Sequence, residues 1–190
     1  MSVLYFGRGV PTVAGSSNDQ SRSVAANTYR DTKTTNNGEE SLAVSTKFRT
    51  AAINMGNESV AAATGRYALA SSAGRYSITA VTNFGAAATN TGNRSASVST
   101  GGCSAASNKG GYSVAVSIGN SSIATNTGQS SVAVSAGGRS LATSTGNQST
   151  AVSTNDYSAA EVTGTGSVAV SLGISGRASQ IGRASCRERV

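Results

Sequence analysis

The chain has 190 residues, a formal charge of +7, and a composition that is 37% hydrophobic but only 5% aromatic, with 23 Gly, one Pro, no His and no Trp. Its apolar residues are mostly Ala and Val, which argues against a thick globular core, and the missing histidine removes the commonest general base and metal ligand. Two cysteines, Cys103 and Cys186, make neither a disulfide framework nor a zinc site.

Residues 1–19 (MSVLYFGRGVPTVAGSSND) stand outside any repeat and read as a cap or lead-in. The apolar tetrapeptide Val3-Leu4-Tyr5-Phe6 is too short for a secretory signal, which needs roughly 7–15 apolar residues. No signal peptide is therefore expected, and the tetrapeptide is expected to form a strand or plug over the first repeat. No stretch approaches the roughly 20 apolar residues of a membrane-spanning helix.

From Gln20 to about Gln180 the chain divides into eighteen nine-residue units without an insertion. The pattern is clearest from Gly110 to Thr154, which reads GGYSVAVSI, GNSSIATNT, GQSSVAVSA, GGRSLATST and GNQSTAVST. Position one is Gly in thirteen units, position four Ser in thirteen and position six Ala in fifteen. Position seven alternates between Val (Val98, Val116, Val134, Val152, Val170) and polar residues (Ser107, Thr125, Thr143, Glu161), so the true period is eighteen. Ser-Val-Ala-Val-Ser alternates with period two, which selects strand over helix. Gly at position one, often followed by Asn or Gly, supplies turns with positive φ. The expected fold is all-β: a parallel β-solenoid with nine-residue arms, two strands per eighteen-residue coil and about nine coils. At about 4.8 Å per coil such a rod is roughly 43 Å long.

Positions five and seven are expected to face inward, because Val60, Leu69, Ile78, Val114, Ile123, Val132 and Leu141 need burial. Positions four, six and eight would then form flat Ser/Ala/Ser surfaces. Glu161 at position seven is the main objection, since a buried carboxylate is costly unless paired. In the opposite assignment, Ala at position six fills a very thin interior. The early units are degenerate, with Lys33 at position five and Lys47 at position one, as expected of capping repeats.

The last ten residues, IGRASCRERV, break the repeat abruptly and match the translation of a common sequencing adapter. Residues 181–190 are therefore read as a non-native tail, and the natural chain is expected to continue past residue 180. Leaving out the tail's three Arg and one Glu lowers the formal charge from +7 to +5. That charge is spread thinly, and no nucleic-acid partner is expected.

Position three is the variable one, as expected of an exposed turn. Tyr and Arg are favoured in binding hot spots because they combine contact area with hydrogen bonding. The candidate partner-binding residues are Arg66, Tyr67, Arg75, Tyr76, Arg94, Tyr112, Arg139 and Tyr157. Thr-x-Thr pairs at Thr89/Thr91, Thr125/Thr127 and Thr143/Thr145 resemble the threonine arrays of ice-binding solenoids. Ser107/Lys109 and Glu161/Thr163 interrupt that array. Asn-x-Ser sequons at Asn57, Asn93, Asn120 and Asn147 arise from the repeat itself. No P-loop context surrounds the glycines, and no serine has an activating base. Neither catalytic residues, nor a cofactor, nor a metal site is expected.

Ser113–Ser117, Ser131–Ser135 and Ser167–Ser171 all read Ser-Val-Ala-Val-Ser between Gly-rich turns. In this the chain resembles the head repeats of trimeric autotransporter adhesins over most of residues 38–172. The resemblance implies a left-handed β-roll built from three chains, hence a homotrimer, and an adhesive role at the cell surface toward a protein or glycan. The eighteen-residue period is longer than that family's, and no signal, stalk or anchor is seen. Repeats of this kind also resemble proteins of gut bacteria and their phages. The expectation is thus a non-enzymatic structural or adhesive rod, with an ice-binding solenoid or a phage or intracellular fibre as alternatives.

Overall fold

A computed structural model of the chain describes residues 4–6, 15–18, 24–28 and 30–181. These residues form twenty strands, from β1 (Leu4–Phe6) and β2 (Gly15–Asn18) through β3 (Val24–Asn27) and β4 (Lys33–Asn36) to β19 (Val168–Leu172) and β20 (Arg177–Ile181). No helix occurs among them. Odd-numbered strands make one ten-stranded parallel sheet and even-numbered strands a second. The chain alternates between the two, so each coil contributes one strand to each sheet.

The register carries the eighteen-residue period. Val114 in β13 (Tyr112–Ile118) lies between Ala96 and Val132, and Ile123 in β14 (Ser121–Thr127) lies between Ala105 and Leu141. Identical positions therefore stack along the whole rod. The lead-in joins this ladder: Leu4 pairs with Val24 at a spacing of twenty residues, and Gly15 with Lys33 at eighteen. Leu4–Phe6 thus forms the strand expected over the first repeat. At the other end, β20 extends one residue into the tail, where Ile181 pairs with Thr163. Residues 182–190, with Cys186, lie outside the described residues.

The strand faces are the reverse of the preferred expectation. Positions four, six and eight point inward, so Ser113, Ala115 and Ser117 are buried while Val114 is 39% exposed. Alanines of position six from both sheets form the core, running Ala106, Ala115, Ala124, Ala133, Ala142, Ala151 and Ala160 without interruption. A second cluster, from Ala43 to Ala88, fills the N-terminal half. Glu161 and Lys33 are exposed, so the objection raised by a buried carboxylate disappears.

Serine and asparagine line the two margins of this thin core, and hydrogen bonds pair many of them there, although the hydroxyls of Ser45, Ser72, Ser77, Ser113 and Ser144 have no partner. Ser104 and Ser117 meet at 3.0 Å between hydroxyls; Ser117 donates to the Ser104 carbonyl, and the single Ser104 proton is shared between Ser117 Oγ and the Ile118 carbonyl. The same clasp recurs at Ser122/Ser135, Ser140/Ser153 and Ser158/Ser171. On the opposite margin Asn126 donates its amide to the carbonyls of Ser113 (2.7 Å) and Val132 (3.0 Å). Burying a polar group costs little once it is paired. That is why small polar residues can line so thin an interior, where Val81 and Val162 are the only fully buried valines among the described residues.

Close stacking also explains the glycine of position one. At Gly128 an added Cβ would overlap the carbonyl oxygen of Gly110 in the preceding coil. Positive φ is the reason only in some coils, such as Gly101 with φ 151°. Gly128→Ala is expected to lower stability by about 3 kcal/mol through this overlap. Gly138→Ala, where the nearest atom is Asn120 O at 3.7 Å, is expected to be close to neutral. Urea midpoints of the two variants check the contrast.

Candidate functional site

Because the interior is uniform, differences between coils collect at the turns. In many of them position three is held in the left-handed region: φ is 52° at Arg49, 53° at Glu58, 59° at Tyr67 and 55° at Gln148. A non-glycine residue there costs about 1–2 kcal/mol, and glycine does hold the same place at Gly85 (φ 70°). In other coils position three instead opens a longer strand, as in β11 (Arg94–Thr100), β12 (Cys103–Lys109), β16 (Arg139–Thr145) and β18 (Tyr157–Thr163).

The structure gathers the eight candidate residues into three places. On the edge where odd strands begin, Arg75 lies 5.9 Å from the Tyr76 ring. Arg94 sits between Tyr76 and Tyr112, 5.7 Å from each ring, and its Nη1 donates to Tyr76 Oη at 3.4 Å. Tyr76, Arg94 and Tyr112 follow one another at eighteen residues, so this ladder follows directly from the repeat. Beside it Glu39, Glu40, Asn57 and Glu58 join Arg75 and Tyr76 around a depression of about 230 Å³. The acidic residues of this depression were missing from the sequence-derived set, although the variability of positions two and three was the available signal.

On the opposite edge, Tyr67 packs edge-on against Phe48 (5.6 Å) and Phe84 (6.3 Å). Arg66 lies over both Tyr67 (5.7 Å) and Phe84 (5.5 Å), while Arg30 and Arg49 lie over Phe48. Phe48 and Phe84 occupy position two, which sequence reasoning passed over. Further along that edge Arg139 pairs in register with Tyr157. These two line a shallow groove with Ser121, Ile123 and Leu141, and Tyr157 is 66% exposed. Guanidinium groups on ring faces are worth about 0.5–1 kcal/mol at exposed sites. They leave Arg N–H groups and phenol hydroxyls free to meet carboxylates, hydroxyls or carbonyls of a partner.

The threonine pairs belong to positions seven and nine of the even arms, on the outer side of that sheet. Thr125 and Thr127 stack in register on Thr143 and Thr145. The first pair departs from the expected array. Thr89 lies in β10 (Ala86–Asn90), but Thr91 falls one residue past its end, exposed in the turn. The cause is local: Asn90 Oδ1 accepts from Gly92 N at 2.8 Å and bends the chain around Thr91. Asn54 and Gly56 make the same bond, and there too the strand, β6 (Ala51–Asn54), stops at the asparagine. Where that oxygen has no partner, at Asn108 and Asn126, the strand runs on to position nine. The coil between the first two pairs offers Ser107 and Lys109, and the coil after the third Glu161 and Thr163. Charged side chains therefore stand within the threonine plane, and Thr91 is not a strand member of it.

The sequons have a role in stacking. Asn93 Oδ1 accepts from Gly111 N at 3.2 Å, and Asn57 Oδ1 from Arg75 N at 3.2 Å, each in the following coil. The sequon serines are buried, including Ser59, Ser95, Ser122 and Ser149. Cys103 is a free, exposed thiol at position three. Among the described residues no group of three or more His, Cys, Asp or Glu is arranged to hold a metal ion. Comparison with family models, with curated proteins and with solved structures finds no match to this chain.

Proposed function

We propose that this protein is a non-enzymatic structural or adhesive rod that meets a partner surface, protein or glycan, through its edge turns. The observation that carries this reading is the cost the chain accepts at position three. Glycine would hold the left-handed turn without strain, yet Arg49, Glu58 and Tyr67 stand there. Strained backbone with exposed charged and aromatic side chains is a pattern found at functional sites. Ice binding has less support, because Lys109 and Glu161 stand in the threonine face and Thr91 lies off its strand.

Replacing Tyr67, Tyr76, Tyr112 and Tyr157 together by alanine is expected to weaken binding to cells or glycan surfaces at least about tenfold, or about 1.4 kcal/mol. The β-rich circular dichroism is expected to stay unchanged. Binding that survives all four substitutions overturns the edge reading.

A further inference from the structure

The two outer faces of the rod are chemically unequal, and the interior does not require them to be. On the odd-strand sheet, seventeen of the eighteen residues at positions five and seven are Val, Ile, Leu or Ala, the exception being Thr150. No charge interrupts this face. On the even-strand sheet ten of the eighteen equivalent residues are polar or charged, including Lys33, Thr125, Thr143, Glu161 and Arg177. The same solenoid, over the same Ala/Ser core, therefore accepts Thr, Ser, Lys and Glu at these positions. Strand propensity does not account for the valines either, since threonine is equally β-branched.

We propose that two copies of this chain pair face to face through the odd-strand sheet. Rows of Val114, Val132 and Val168 at position five and Val116, Val134 and Val152 at position seven pack against the same rows of the second copy. Side chains of neighbouring coils cover one another's flanks but leave their tips in water, as the 50% exposure of Ile78 and 51% of Val168 show. An exposed apolar patch of this extent is rare on a monomer.

Its area matches the need. Nine strands, β3 to β19, at about 4.8 Å spacing and about five residues wide give roughly 700 Å² per copy. The total of about 1,400 Å² falls within the roughly 1,200–2,000 Å² buried by stable complexes. Glu40, Glu58, Arg75 and Arg94 at the strand starts supply the charged rim that such interfaces carry around an apolar centre. An isologous pair also closes, so the face is consumed and no open fibre results.

Sedimentation equilibrium of the full chain tests the pairing. The wild type is expected to be a dimer at about 100 µM and to remain one in about 1 M NaCl, which screens charges but not apolar contact. Substituting Val98, Val116, Val134 and Val152 together by Thr, the residue that the even-strand sheet itself carries at position seven, is expected to raise the dimer dissociation constant at least a hundredfold. The circular dichroism of that variant is expected to be unchanged. Thr125→Lys with Thr143→Lys, on the other face, is expected to leave the mass unaltered. A monomeric or trimeric wild type, dissociation by salt, or a Val-to-Thr variant of unchanged mass overturns the proposal. None of these readings depends on the edge tyrosines.

Discussion

Ala124→Leu is expected to abolish the native fold, or to lower its stability by more than about 3 kcal/mol. Ala124 is fully buried and stacks in register between Ala106 and Ala142 in the alanine core. Three additional carbon atoms there have no space to enter without separating the sheets, and overpacking a well-filled core typically costs about 1–3 kcal/mol, sometimes more. Separation would also pull apart the Ser122/Ser135 clasp, whose hydroxyls meet at 3.1 Å. The adjacent Ile123→Ala substitution is expected to cost less than about 1 kcal/mol, because Ile123 is 47% exposed on the outer face. Had positions five and seven formed the core, the ranking would invert, with Ile123→Ala costing about 2–5 kcal/mol. Urea denaturation followed by circular dichroism decides between the two orders.

The second large effect concerns the asparagine row at position eight of the even strands. Asn90 uses both ends of its amide: Nδ2 donates to the carbonyls of Ser77 (2.8 Å) and Ala96 (3.3 Å), and Oδ1 accepts from Gly92 N (2.8 Å). Asn90→Ala is expected to lower stability by about 2–4 kcal/mol, since each buried partner left unpaired costs about 1–3 kcal/mol and part is recovered by relaxation. Asn126→Ala is expected to cost less. Its Oδ1 has no partner, and Gly128 N instead donates to Thr145 O at 2.9 Å in the following coil. Thermal unfolding of the two variants side by side tests this ranking. Equal losses would mean that the bond to Gly92 contributes nothing.

The edges divide along the same line. Spacing alone placed Tyr76, Arg94 and Tyr112 in one column, and they form one ladder. Phe48 and Phe84 sit at position two, one residue from the variable column of position three, so the repeat alone does not mark them. Their meeting with Tyr67 depends on the local turn, where Tyr67 takes a positive φ of 59°. Thr91 shows the same limit, since spacing paired it with Thr89 while the Asn90–Gly92 bond ends the strand between them. A nine-residue frame records which residues share a turn, but not how the turn is twisted.

Period, strand content, parallel stacking and the two-arm coil were determined by the sequence itself, because every coil repeats one pattern and only in-register stacking satisfies all copies at once. The direction of the strand faces was decided by the tertiary structure. Hydrophobicity argued for valine inside, since Val114 and Val116 are more apolar than the Ser113, Ala115 and Ser117 that alternate with them. Two short arms joined by tight turns, however, leave a gap filled mainly by Ala, Ser and Asn, with Val81 and Val162 as its largest side chains. Which residues are interior thus follows from the distance between the sheets, a quantity that no single strand encodes.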